Sequence, residues 1–122
     1  MAERVFLCDD DDGYRMLLRE VLSAEGMHIV GEGGDGAACV EAVVESDPDV
    51  VLLDLNMPGM NGFEALPLLR AGLPEAKLIV LSTSPADRQS VSAAHMLGAD
   101  GYVSKPYDIF AVPALLRRAL AS

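Results

Sequence analysis

Two hydrophobic rhythms alternate along this chain. Short, nearly continuous apolar runs read as buried strands, and the stretches between them carry apolar residues at helical spacing. Val5–Cys8 is the first strand candidate; Tyr14–Ala24, with Tyr14, Leu17, Leu18, Val21 and Leu22 on one face, is the first helix. His28–Val30 is a short strand, Gly31–Gly36 is turn-rich, and Ala37–Val44 is a helix with Asp35 or Gly36 near its start. Asp49–Leu53 is apolar on both faces, as a strand covered by helices on both sides must be. "NMPGMNG" is a loop, Phe63–Arg70 a helix, and Lys77–Leu81 the next strand. The spacing predicts a helix over Ala86–Leu97, with Ser84 as its N-cap, Pro85 in its first turn and Gly98 as its terminator. Gly101–Ser104 is the last strand, and Ile109–Leu120, capped by Asp108, the last helix, with Arg117 and Arg118 near its negative end.

Five strand–helix pairs in strict alternation predict an α/β fold: a doubly wound, parallel five-stranded sheet with helices on both faces and right-handed crossovers. In open sheets of this kind ligands bind beyond the carboxyl ends of the strands. Asp9 and Asp10 follow the first strand and Asp54 the third. Ser82, Thr83 and Ser84 follow the fourth, and Lys105 the fifth. The second strand contributes nothing comparable, as expected of an edge strand. Singly, each residue has an ordinary explanation: aspartates cap helices, Ser/Thr clusters form turns, and a lone lysine sits in solvent. Their joint placement on one sheet edge carries the argument.

That placement poses an electrostatic problem, sharpest in the run Asp9, Asp10, Asp11, Asp12. Two carboxylates about 4 Å apart repel by roughly 4 kcal/mol at an effective dielectric near 20. A bound Mg²⁺ would offset this, since it takes oxygen ligands and commonly works with phosphate groups.

With 122 residues the chain suits one compact domain spanning 1–122. A composition 51% hydrophobic and 23% charged is that of a globular protein, not a disordered one. The net charge of −10 argues against direct nucleic-acid binding, which rests on Lys and Arg neutralising phosphates. No apolar run approaches the ~18 residues that span a membrane. The opening "MAERVFLC" turns acidic too soon for a secretory signal. Cys8 and Cys39 fall at apolar positions and read as reduced core thiols, so the expected location is cytoplasmic. His28 and His95, in strand and helix patterns, read as structural or surface residues.

Over nearly its whole length the sequence resembles the receiver domain of two-component response regulators, the CheY-like family. The resemblance rests on "CDD" at Cys8–Asp10, "DVVLLDLNMPGMNGFE" at Asp49–Glu64, "LIVLSTS" at Leu78–Ser84 and "GADGYVSKP" at Gly98–Pro106. It implies the flavodoxin-like strand order 2-1-3-4-5. It also implies a phosphoacceptor switch rather than an enzyme, capable only of self-phosphorylation from small donors and self-dephosphorylation. A histidine kinase or histidine phosphotransfer protein would donate a phosphoryl group to Asp54. Mg²⁺, with Mn²⁺ as a second candidate, would be held by Asp9, Asp10, Asp54 and the backbone carbonyl of Asn56. Lys105 and Ser82 would contact the phosphoryl group, and Tyr102 would act as the switch aromatic. The face made by the fourth helix, fifth strand and fifth helix would then be read by an effector protein or output domain. A phosphorylation-dependent homodimer is also implied, and the Lys105–Pro106 bond is expected to be cis.

Some residues depart from the family pattern. Asp11 and Asp12 exceed the usual acidic pair and are expected to start the first helix, where negative charge is favoured. Thr83 is larger than the family's common Ala or Gly and is expected to narrow access to the phosphorylated aspartate. Pro67 and Pro113 are unusual inside helices, where proline removes an N–H unless it lies in the first turn. Other classes fit less well. An aspartyl phosphatase using Asp-x-Asp needs a second acid where Asn56 stands, and an amide cannot supply that proton. A flavodoxin-like cofactor binder would set four acids against its ligand's phosphate. A degenerate receiver used only for protein contacts would have no need of the intact set of acids, Ser82 and Lys105.

Overall fold

The computed structural model describes residues 2–121, so both end residues of the expected 1–122 domain lie outside the described residues. The elements follow the predicted alternation: β1 (Arg4–Cys8), α1 (Asp12–Ala24), β2 (His28–Gly33), α2 (Gly36–Ser46), β3 (Val50–Leu53) and α3 (Gly62–Gly72). Then come β4 (Lys77–Ser82), α4 (Arg88–Met96), β5 (Gly101–Ser104), a 3₁₀ turn at Ile109–Ala111 and α5 (Val112–Ala121). All strands are parallel, in the order β2-β1-β3-β4-β5.

Alternation along the strands divides the core in two. Phe6, Cys8, Val51, Leu53, Leu78 and Val80 face one layer, with Cys39 and Val43 of α2, Leu66 and Leu69 of α3 and Ala94 of α4. Val5, Leu7, Val50, Leu52, Ile79 and Leu81 face the other, with Leu18 and Leu22 of α1 and Leu116 of α5. Each such fully buried Leu, Val or Phe contributes about 1.5–3 kcal/mol, which fixes the strand register. Both cysteines are buried free thiols, and burial pushes the Cys8 thiol well above its ordinary value. That is the inert core role expected of them.

Four local expectations need correction. β2 runs on through Gly31–Gly33, read from sequence as a turn. A Cβ on Gly31 would lie 2.7 Å from the Phe6 ring, and one on Gly33 2.7 Å from Cys39 Sγ. Glycine there marks close packing rather than a turn. The fourth helix starts at Arg88, not Ala86, because Asp87 caps it, accepting from the Ser90 N–H at 2.8 Å. Ser84, the expected cap, is engaged elsewhere. The last helix begins as a 3₁₀ turn capped by Asp108, with the Val112 N–H bonded to the Ile109 carbonyl. Pro113 has no N–H to give Ile109 in an α-turn, and it falls in the first turn of α5, where none is needed. Pro67, by contrast, does sit inside α3. Finally, the Lys105–Pro106 bond is trans: no peptide bond among the described residues is cis. Lys105 is aimed instead by its backbone N–H, which donates to the Ser82 carbonyl at 2.7 Å.

Candidate functional site

β1 and β3 are neighbours whose following helices pack on opposite faces, so the chain leaves a crevice beyond their carboxyl ends. Asp9 and Asp54 stand on either side of it. Their backbones are tied into the sheet, the Asp9 N–H donating to Gly33 (3.1 Å) and the Asp54 N–H to Cys8 (2.9 Å). Both carboxylates are buried. Lys105 reaches them from the end of β5, its Nζ 2.7 Å from Asp9 Oδ2 and 3.1 Å from Asp54 Oδ2. Ser82, fully buried, donates its hydroxyl to Asp54 Oδ1 at 3.0 Å, and the Asn56 N–H donates to the same oxygen at 3.0 Å.

The acids of the run at 9–12 separate into two groups. Asp9, Asp10 and Asp54 bring carboxylate oxygens within 4.8 Å of one another, and Asp10 lies on the solvent side. Asp11 caps α1, accepting from the Tyr14 N–H at 3.0 Å, and Asp12 pairs with Arg15 at 2.7 Å in the first turn. This is the helix-start role expected of them. Arg15 also donates to the Asp9 carbonyl and pairs with Glu32 at 2.8 Å, which ties the acidic loop to β2.

Three carboxylates against one ammonium leave an excess of negative charge in a poorly solvated crevice. Burial pushes the Asp9 carboxyl above its ordinary value, against the lowering effect of its bonds to Lys105 and the Asp11 N–H; the Asp54 charge adds to the rise. Burial alone would lower Lys105, but its bonds to Asp9 and Asp54 outweigh it and the ammonium is held above its ordinary value. Carboxylate oxygen is the donor type that Mg²⁺ and Mn²⁺ take, so the residues present fit a hard divalent cation.

Several contacts around these residues gave no sequence signal. Asn56 sends its side-chain amide to Ser84 Oγ (2.9 Å) and Ser82 Oγ (3.3 Å), bridging the loops after β3 and β4. Tyr102 is half-buried against the α3–α4 side of the core and donates its hydroxyl to the Ser84 carbonyl at 3.3 Å. Thr83 is exposed beside them. Tyr14, read only as an apolar helix position, lies with its ring centroid 4.2 Å from Lys105 Nζ. The spacing of Tyr14 within α1 marks an inward face but not which neighbour that face meets.

The sequence and the fold are similar to those of known proteins. The family model described as "Response regulator receiver domain" matches residues 5–117. The DNA-binding response regulator MtrA of Mycolicibacterium smegmatis is 40% identical over 97% of this chain, which spans only 52% of that protein. The chemotaxis protein CheY of Halobacterium salinarum is 37% identical over 88% of both chains. The signal receiver domain of the putative response regulator NarL from Mycobacterium tuberculosis superposes with a TM-score of 0.84 at 33% identity, over 99% of this chain and 98% of that one.

Proposed function

The chain belongs to the response regulator receiver domain family, and from that premise we propose that Asp54 accepts a phosphoryl group and that its modification switches the molecule between two signalling states. The observation that carries this reading is the setting of Asp54: a buried carboxylate held by a hydroxyl and an ammonium, with two further acids beside it.

The donor is phosphohistidine on a histidine kinase or a histidine phosphotransfer protein. An Asp54 oxygen forms its bond to phosphorus as the phosphorus–nitrogen bond to the donor imidazole breaks. Asp9, Asp10, Asp54 and the Asn56 carbonyl would hold Mg²⁺ or Mn²⁺, which supplies compensating charge for the phosphoryl oxygens. Lys105 stands within ion-pairing reach of the group on Asp54, and Ser82 is placed to turn its hydroxyl from Asp54 to a phosphoryl oxygen. Catalysis of this kind is mostly positioning and electrostatics.

Ser82 also links the site to the output face. Its Oγ accepts from the Ser84 N–H (3.2 Å), and Ser84 is bonded in turn by Asn56 and Tyr102. A new partner for Ser82 therefore bears on the loop that holds Tyr102, and on the face of α4, β5 and α5. An effector protein, an output domain or a second copy of the chain reads that change. Thr83, exposed at the mouth, narrows access to phospho-Asp54 and slows its hydrolysis. The domain occupies 1–122, makes no direct nucleic-acid contact and works in the cytoplasm. No helix among the described residues is long and apolar enough to cross a membrane.

Intact-mass analysis after incubation with acetyl phosphate and Mg²⁺ tests the reading. One phosphoryl mass gain is expected, absent in Asp54→Ala and in EDTA. No gain from acetyl phosphate or from a phosphorylated kinase would overturn it.

A further inference from the structure

We propose that Tyr14 is a positioning residue for this phosphoryl transfer, its ring face keeping the Lys105 ammonium in place while the carboxylates around it change state. The inference rests on the functional reading above. Among the described residues Lys105 Nζ makes two ion pairs, with Asp9 at 2.7 Å and Asp54 at 3.1 Å, and one cation–π contact, with the Tyr14 ring 4.2 Å to its centroid. The ring distance is well inside cation–π range, and the side chain of Lys105 is only 9% exposed, where such contacts are strongest. In function both carboxylate partners are altered, Asp9 by sharing its charge with a divalent cation and Asp54 by phosphorylation. The ring takes neither metal nor phosphate, so it is the one contact of the three that survives both events.

The ring is held where the role requires it. The Tyr14 backbone N–H donates to the cap Asp11, so the acidic run that supplies Asp9 and Asp10 also fixes the turn carrying Tyr14. The next residue, Arg15, is bonded to the Asp9 carbonyl, which locks that turn to the loop. The ring packs on the α1–α5 side of the core. The phenol oxygen is buried and has no hydrogen-bond partner, alone among the buried side-chain polar atoms of the described residues. The hydroxyl makes no hydrogen bond to a described residue, whereas the ring makes a defined contact with Lys105. Tyr14→Phe should therefore preserve the role and Tyr14→Leu should remove it.

The chain has two lysines, Lys105 and the exposed Lys77, so one is an internal standard for the other. In metal-free protein, NMR should place the ε-methylene protons of Lys105 upfield of those of Lys77, shifted by the ring current. Tyr14→Phe should keep that shift and Tyr14→Leu should abolish it. Phosphorylation of Tyr14→Leu by acetyl phosphate should be about three- to thirtyfold slower than wild type, and that of Tyr14→Phe within about twofold. A wild-type Lys105 signal at the Lys77 position overturns the contact whether or not the variants fold. Tyr14→Leu as fast as wild type, or folded Tyr14→Phe as slow as Tyr14→Leu, overturns the role alone. Wild-type protein that takes up no phosphate overturns the functional reading and this role with it.

Discussion

The two ends of the sheet use aspartate in opposite ways. At the amino end of the strands Asp49 and Asp100 each have their own donors. Asp49 accepts from the Arg4 N–H at 2.9 Å, and Asp100 from the Leu78 N–H at 2.9 Å and from Arg70 at 2.7 Å. Both are exposed, and the bonds close loops onto strands. At the carboxyl end Asp9 and Asp54 are buried and share one ammonium, with the Asp10 carboxylate beside them. The first end is electrostatically finished. The second is left short of positive charge, and that shortage is what would suit it to a cation and a phosphoryl group.

The sharpest way to break this contrast is to remove the shared ammonium. Lys105→Met should slow phosphorylation by acetyl phosphate about a hundredfold or more, the scale of losing a charge-stabilising group at a reacting centre. A rate within a few-fold of wild type would mean that the ammonium does not serve the transfer. Supplying the missing charge should have the next largest effect. Mg²⁺ at a hundred times its Kd should raise wild-type stability in urea unfolding by about 2.7 kcal/mol. Asp9→Asn should lose most of that gain at the same concentration.

Substitutions at the two ends should differ in sign. Asp100→Asn should cost about 1–2 kcal/mol, since Arg70 loses a charged acceptor at a partly exposed site. Asp9→Asn in metal-free protein should instead stabilise, because the carboxylate it removes is one whose charge burial disfavours even with Lys105 beside it. Urea midpoints of the same sign would erase the distinction. The smallest effect is a pH dependence at a third kind of aspartate, the exposed cap Asp87. Its bonds to the Ser90 N–H and hydroxyl hold its carboxyl below the ordinary value of 3.8. The depressed value means that the cap is at full strength above pH 3.8 and fades as pH falls through the folded value. Carbon chemical shifts of Arg88–Ser90 should follow that course in wild type, and no such step should occur in Asp87→Ala.

Most of this architecture was legible from periodicity, because a covered parallel sheet demands apolar runs, and four of the five runs here are followed by polar residues at the same edge. Asp9, Asp54, Ser82 and Lys105 could be grouped from topology alone, and the structure brings their side chains together. What escaped depends on neighbours distant in sequence. Gly31 and Gly33 are strand residues because of Phe6 and Cys39, which no local pattern shows. Ser84 has the composition of a cap, yet Asn56 and Tyr102 claim it and Asp87 takes the role. Pro113 had two readings until the 3₁₀ turn placed it in a first turn.

Arg70 gives the site a mechanical context. From α3 it donates to the carbonyls of Leu73, Ala76 and Gly98 and to the Asp100 carboxylate. It thus rivets the far end of α4 to the floor of the sheet, while the near end follows the loop at Ser84. A helix of nine residues is an arm of about 13 Å. Held at Gly98 and pushed near Ser84, such an arm would swing rather than slide, so a small displacement beside Asp54 would be greatest at the start of α4 and least at its pivot.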